Sequence, residues 1–177
     1  MNLSVREIQE QDIPLISDYW VNATSESLLA MGAIKEMVPD QKYWQEALLS
    51  QIKSNYAEKQ SYCTIWLVDG EPIGHCNVNK IIFGQEAYMH LQLWKADKRQ
   101  SGLGTSLVKL SLPYFFQNLQ LKTLFCEPYA LNPAPNSTLK KLGFDFVKEY
   151  ITVPGSFSFE QPTNRWELSL EKFNLLF

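Results

Sequence analysis

The sequence predicts a single α+β domain, a mixed α/β arrangement in which helices and strands share one core. Three observations point there. Residues 88–94 alternate, with Met89, Leu91 and Leu93 on one face and Tyr88, His90, Gln92 and Trp94 on the other, the period of a half-buried strand. Soon after it, Gly102-Leu103-Gly104 opens a helix whose Leu103, Leu107, Leu110 and Tyr114 share a stripe. The 177 residues read as strand, helices, three strands, helix, strand, helix and two strands, with no repeat or low-complexity stretch.

Each element has its own signal. Leu3-Ser-Val-Arg-Glu-Ile alternates as a first strand. Asp12 is placed to cap the next helix, with Pro14 just inside it and Leu15, Ile16, Tyr19 and Trp20 as its apolar stripe. Residues 25–39 read as a short helix and a loop, and Pro39-Asp40 opens another helix with Tyr43, Trp44, Ala47, Leu48 and Ile52 on one side. Residues 62–68 are rich in β-formers, Asp69-Gly70 marks a turn, and residues 72–83 form the return strand.

Gly84-Gln85 marks the next turn. A hairpin centred there sets His75 opposite Trp94, Asn77 opposite Gln92 and Asn79 opposite His90. Cys76, Val78 and Lys80 then face Leu93, Leu91 and Met89. The polar residues collect on one sheet face, either as a wet cleft or as a solvated outer surface.

Pro113 should kink the long helix. Residues 122–127 read as a strand, Asn132 as the cap of a helix over 137–142, and Gly143 as its stop. Residues 145–153 and 165–170 are the last two strands.

Composition excludes several classes. A net charge of −3 argues against a nucleic-acid surface. No run of ~18 apolar residues suggests a membrane span, and the polar N-terminus does not resemble a signal peptide. Cys63, Cys76 and Cys126 lack metal or redox spacing and read as reduced, buried thiols of a cytoplasmic protein. His75 and His90 have no partners at ligand spacing, so no metal is expected.

The Gly-x-Gly helix start, preceded by Lys98 and Arg99, suits a phosphate or pyrophosphate. Glycine lets the chain approach a ligand closely, and the first helical turn presents unpaired N–H groups. A dinucleotide fingerprint would want glycine at Leu107, and a Walker loop would want lysine at Thr105.

Two blocks together resemble the GNAT superfamily of acetyl-CoA-dependent N-acetyltransferases. Arg99-Gln-Ser-Gly102-Leu-Gly104 is similar to its Arg/Gln-x-x-Gly-x-Gly/Ala signature. Asn132, with Gly143-Phe144 eleven residues on, is similar to its second block. The Leu-Gly-Phe ending resembles the branch of ribosomal-protein alanine acetyltransferases. The resemblance implies a mostly antiparallel central sheet with a splayed strand pair and helices on both faces. It implies acetyl-CoA as co-substrate, its pantetheine lying against Leu93 and Trp94 at a bulge. The pyrophosphate would rest on N–H groups of Gln100, Ser101, Gly102, Leu103, Gly104 and Thr105, with Arg99 nearby and Asn132 at the pantetheine arm or thioester end. A homodimer is also open.

Acetyl transfer needs a neutral amine, a donor to the thioester oxygen and relief of charge on the leaving thiolate. A main-chain N–H near Leu93 or Trp94 is the expected donor. His90 is the first candidate base, since a histidine titrates near neutrality, and Glu127 the second. Many relatives carry a tyrosine where this chain has Leu139, so Tyr129 or a water is the candidate acid. The acceptor, a small-molecule or peptide amine, is expected near the first helices and the segment holding Phe157, Phe159, Glu160 and Arg165. The alternatives are a non-catalytic acyl-CoA-binding module, for which Leu139 speaks, and a plain nucleotide-phosphate binder.

Overall fold

The structure, a computed structural model, describes residues 1–95 and 102–177. Its strands are β1 (Leu3–Glu7), β2 (Ser61–Val68), β3 (Glu71–Ile82), β4 (Glu86–Leu93), β5 (Thr123–Cys126), β6 (Asp145–Thr152) and β7 (Gln161–Ser169). They form one sheet in the order β1-β2-β3-β4-β5-β7-β6. Only β4 and β5 run parallel, and the helical crossover between them supplies the length that a parallel join needs.

Helices cover both faces. Cys76, Val78, Met89, Leu124, Cys126 and Leu168 pack with Leu103, Leu107, Val108 and Leu112 of α4 (Leu103–Pro113) and with Leu139 of α5 (Pro133–Lys141). On the other face Cys63, Ile65 and Leu67 meet α1 (Ile13–Val21), α2 (Ser25–Ala30) and α3 (Gln41–Lys53) through Ile16, Trp20, Leu28, Trp44 and Leu48. Buried Ser111 fixes α4 to β2: its hydroxyl accepts from Trp66 Nε1 (2.9 Å) and Thr64 Oγ1 (3.1 Å) and donates to Leu107 C=O. That clamp holds the C-terminal half of α4 against the sheet.

Several expectations change in detail. The β3–β4 register is two residues from the expected one: His75 faces Gln92, Cys76 faces Leu91, Asn77 faces His90 and Asn79 faces Tyr88. An irregularity between Asn79 and Ile82, with Lys80 at φ 48, absorbs the difference. A two-residue shift keeps each side chain on its face, so the polar strip survives.

Asp12 caps α1 with no side-chain bond. It instead accepts two bonds from the Arg6 guanidinium, at 2.5 and 2.8 Å. At Pro113 the α-helix ends and a wider π turn over Tyr114–Asn118 follows, keeping Phe115 and Phe116 buried. The helix after Asn132 begins at Pro133, and β7 begins at Gln161, four residues before the expected start. A further helix, α6 (Leu170–Leu176), was not expected from the sequence. Among the described residues no helix is long and apolar enough to cross a membrane.

Candidate active site

β4 and β5 separate, and the sequence shows why. Their ladder has four rungs and ends at Met89 opposite Cys126. Pro128 cannot continue a central strand. The chain there follows β7 instead: Asn164 N–H donates to Pro128 C=O (3.1 Å), and Tyr129 bridges Thr163. β4 runs on to Leu93 without β5 beside it, which opens a gap.

The main chain of β4 points into that gap in a fixed alternation. Trp94 N–H donates to Ile73 C=O at 2.9 Å. Even-numbered residues of β4 therefore turn their peptide groups to β3, and those of Leu91 and Leu93 turn to the β5 side. This corrects one expectation: the Trp94 N–H is committed to β3 and cannot serve a ligand in the gap. No irregularity interrupts β4 between Tyr88 and Leu93 either, so the splay comes from β5 turning away rather than from a bulge in β4.

The polar face of β3 and β4 is as follows. His90 Nε2 and Asn79 Oδ1 lie 3.0 Å apart. With Nε2 as donor to that oxygen, Nδ1 is the basic nitrogen. Burial, then the charge of Lys80, pushes the His90 pKa down to about 4 against a smaller opposing pull from Glu127, so its ring is neutral near pH 7. His75 accepts from Trp94 Nε1 through Nδ1 (2.7 Å), and burial lowers its pKa to about 3.

Glu127 is in a different situation. Its side chain is 6% exposed, and Oε1 accepts from Arg165 Nε at 2.6 Å and from the Tyr150 hydroxyl. Arg165 also reaches the hydroxyls of Tyr88 (3.2 Å) and Tyr150 (3.3 Å) and lies over the rings of Tyr88, Phe125 and Tyr150. Oε1 of Glu127 is thus engaged by a guanidinium and a phenol at once. Tyr129 packs edge-on to Phe159, with ring centroids 5.9 Å apart.

At the start of α4, Gly102 is exposed. It is the helix N-cap at φ 79, a left-handed conformation that suits glycine. Among the described residues a Cβ added at Gly104 would meet nothing within 4 Å, so their packing gives no reason for glycine there. Leu103 is buried as an anchor, and Thr105 is half-buried. Arg99, Gln100 and Ser101 lie outside the described residues. Asn132 stands at the N-cap of α5, yet its side chain makes no capping bond. Its carbonyl accepts from Asn136 Nδ2 at 2.7 Å. Leu139, where a tyrosine acid was sought, is fully buried in the core.

The family profile described as an acetyltransferase (GNAT) domain matches residues 2–145. The chain belongs to the GNAT family of acetyltransferases, which use acetyl-CoA to acetylate amines. No curated protein sequence matches it significantly. Solved structures do resemble this GNAT domain. Spermidine N-acetyltransferase from Vibrio cholerae, in complex with CoA and spermine, aligns with a TM-score of 0.79 at 14% identity over 97% of this chain and 98% of that one. RimL, a ribosomal-protein α-N-acetyltransferase in complex with CoA, aligns at 0.77 and 12%, over 97% and 96%. The aminoglycoside acetyltransferase AAC(6')-Ib, in complex with CoA, aligns at 0.73 and 17%, over 98% of both chains.

Three features of this GNAT site were not legible in the sequence. Arg165 pairs with Glu127 because β5 and β7 are in register, and no local pattern shows that. Asn136 joins α5 to β7: Nδ2 donates to the carbonyls of Tyr129 and Asn132, and Oδ1 accepts from Asn164 and Trp166. Trp20, Trp44 and Phe157 form an aromatic wall, with Trp20 and Trp44 stacked at 6.2 Å and 8°. Phe157 C=O accepts from Ile34 N–H at 2.8 Å, tying the β6–β7 connection to the loop after α2.

Proposed function

We propose that this GNAT domain, spanning residues 1–177, moves an acetyl group from acetyl-CoA to a primary amine of a small molecule or peptide N-terminus by direct attack in a ternary complex. The β4–β5 gap carries this reading, because it presents strand main chain to a ligand without breaking the sheet. Pantetheine amides would pair with the peptide groups of β4 that face the gap, and Asn132, whose side chain caps nothing, would hold the arm near the thioester. The start of α4, with Gly102, Gly104 and Thr105, would receive the pyrophosphate. Arg99, Gln100 and Ser101 complete that loop by the family's signature.

The proton is assigned to His90. Burial lowers its pKa to about 4, so the ring is neutral near pH 7 but a weaker base than the ordinary histidine the sequence suggested. It takes the proton only as the bond to the thioester carbon makes the amine nitrogen acidic. A gap-facing N–H of β4 donates to the thioester oxygen as charge develops there. The carbon–sulfur bond breaks with its electron pair on sulfur, and the thiolate is protonated by water or Tyr129. No acyl-cysteine route competes. Cys63, Cys76 and Cys126 are all buried, and burial raises each thiol above its usual range, which leaves no thiolate nucleophile. Reduced thiols suit a cytoplasmic protein.

The test is release of free CoA thiol from acetyl-CoA across a panel of amines, with mass spectrometry of the products. Amine-stimulated release with N-acetylated product is expected. Tight acetyl-CoA binding without stimulation by any amine would leave the non-catalytic binding module as the better reading.

A further inference from the structure

The strand face that carries His90 also carries Gln92, which the mechanism above leaves unused. Gln92 lies between Leu91 and Leu93, whose peptide groups turn to the gap, and faces His75 across the β3–β4 ladder. Its Oε1 is buried and, among the described residues, accepts no hydrogen bond. A buried acceptor without a donor costs about 1–3 kcal/mol. Two donors of the same strand face are engaged elsewhere: Trp94 Nε1–H goes to His75, and His90 Nε2 goes to Asn79. Rotation about χ3 of a glutamine is soft, so Oε1 can meet a donor arriving from the gap.

We propose that Gln92 is an acceptor-binding residue that takes one N–H of a primary amine while His90 takes the other. This rests on the acetyltransferase reading and adds a substrate rule to it. A neutral primary amine offers two N–H bonds and one lone pair. The lone pair forms the bond to the thioester carbon, the carbon–sulfur bond breaks, and the electron pair leaves on sulfur. One amine proton passes to His90 Nδ1. The second N–H remains on the product amide nitrogen, donating to Gln92 Oε1 throughout.

The strip around Gln92 supports a neutral nucleophile. Glutamine carries no charge, and burial holds His75 and His90 in their neutral forms at pH 7. A secondary amine can give its single N–H to His90 only by placing an alkyl group against Oε1, which leaves that oxygen unpaired. A site built to hydrogen-bond a substrate N–H discriminates strongly against an analogue lacking it.

The experiment compares wild type with Gln92→Leu, which removes the acceptor at nearly constant shape. Thiol release from acetyl-CoA is measured with benzylamine, n-butylamine and glycinamide, each beside its N-methyl counterpart. The wild type should prefer the primary amine by at least about tenfold in kcat/KM. The variant should lose about 10–100-fold with primary amines and little with secondary ones, with the acetyl-CoA Kd and the melting temperature not impaired. Gln92→Met carries the same comparison if the leucine variant is unstable. Equal losses on both amine classes, or no loss on either, overturn the inference. A wild type that binds acetyl-CoA but shows no amine-stimulated release overturns the acetyltransferase reading itself, a different result from the first.

Discussion

Replacing Gly104 by alanine should raise stability and lower acetyl-CoA affinity together. Gly104 is the second residue of α4, and among the described residues a Cβ there meets nothing within 4 Å. In the free protein the substitution therefore removes only glycine's entropic penalty, worth about 0.5–1 kcal/mol in a helix. For a chain of this size that is a rise of about 1–4 °C in Tm. With ligand the sign reverses. The added methyl stands where a pyrophosphate would approach the helix start and lengthens its charge-assisted bonds to N–H groups, each worth about 1.5–3 kcal/mol. Acetyl-CoA Kd should rise about 10–100-fold. Thermal melting without ligand and calorimetric titration with acetyl-CoA read the two effects separately. Gly102→Ala is the contrast: at φ 79 a side chain costs about 1–2 kcal/mol, so Tm should fall by about 2–8 °C. A Gly104→Ala protein with lower Tm, or with unchanged acetyl-CoA Kd, would refute the placement of the ligand.

Arg165→Met should destabilise by about 2–3 kcal/mol in urea unfolding, below the 3–5 typical of a fully buried pair because the arginine side chain is 26% exposed. Adding Glu127→Gln should recover at least half, and a failure to recover would mean that Arg165 acts through its ring contacts. Stability should decline as pH falls. His90 and His75 have folded pKa values of about 4 and 3, below the unfolded 6.5. The unfolded chain thus binds more protons, so the stability present above about pH 6.5 is lost progressively on the way down to each folded pKa. His90 accounts for about 3 kcal/mol of that, and His90→Asn should flatten the urea midpoint between pH 6.5 and 4; parallel curves would contradict this. Asn132→Ala should change stability by less than the ~1 kcal/mol of an ordinary cap yet weaken acetyl-CoA binding several-fold by calorimetry.

Local chemistry made much of this legible. The alternation of 88–94 fixed which side chains share a face, and that survived a two-residue register error because strand faces repeat every two residues. Gly102 and Gly104 marked the helix start, and Gly143, at φ 82, the helix stop. Contacts between distant strands were hidden. Glu127 reads in sequence as a free carboxylate at a strand end, and only the β5–β7 register brings Arg165 onto it. Asn132 reads as a cap and does stand at the N-cap, but Pro135 three residues on has no N–H to give, and the Asn132 side chain makes no capping bond. The unpaired oxygen of Gln92 is likewise a property of packing: Asn77, Asn79 and Gln92 look alike in sequence.

Direct transfer is tested most squarely by initial velocities over a grid of acetyl-CoA and amine concentrations. Every cysteine is buried with its thiol pKa raised, which speaks against an acyl-cysteine, and in the proposed route the amine attacks acetyl-CoA while both are bound. Double-reciprocal lines should therefore intersect. Parallel lines, with acetylated enzyme trapped in the absence of amine, would contradict it.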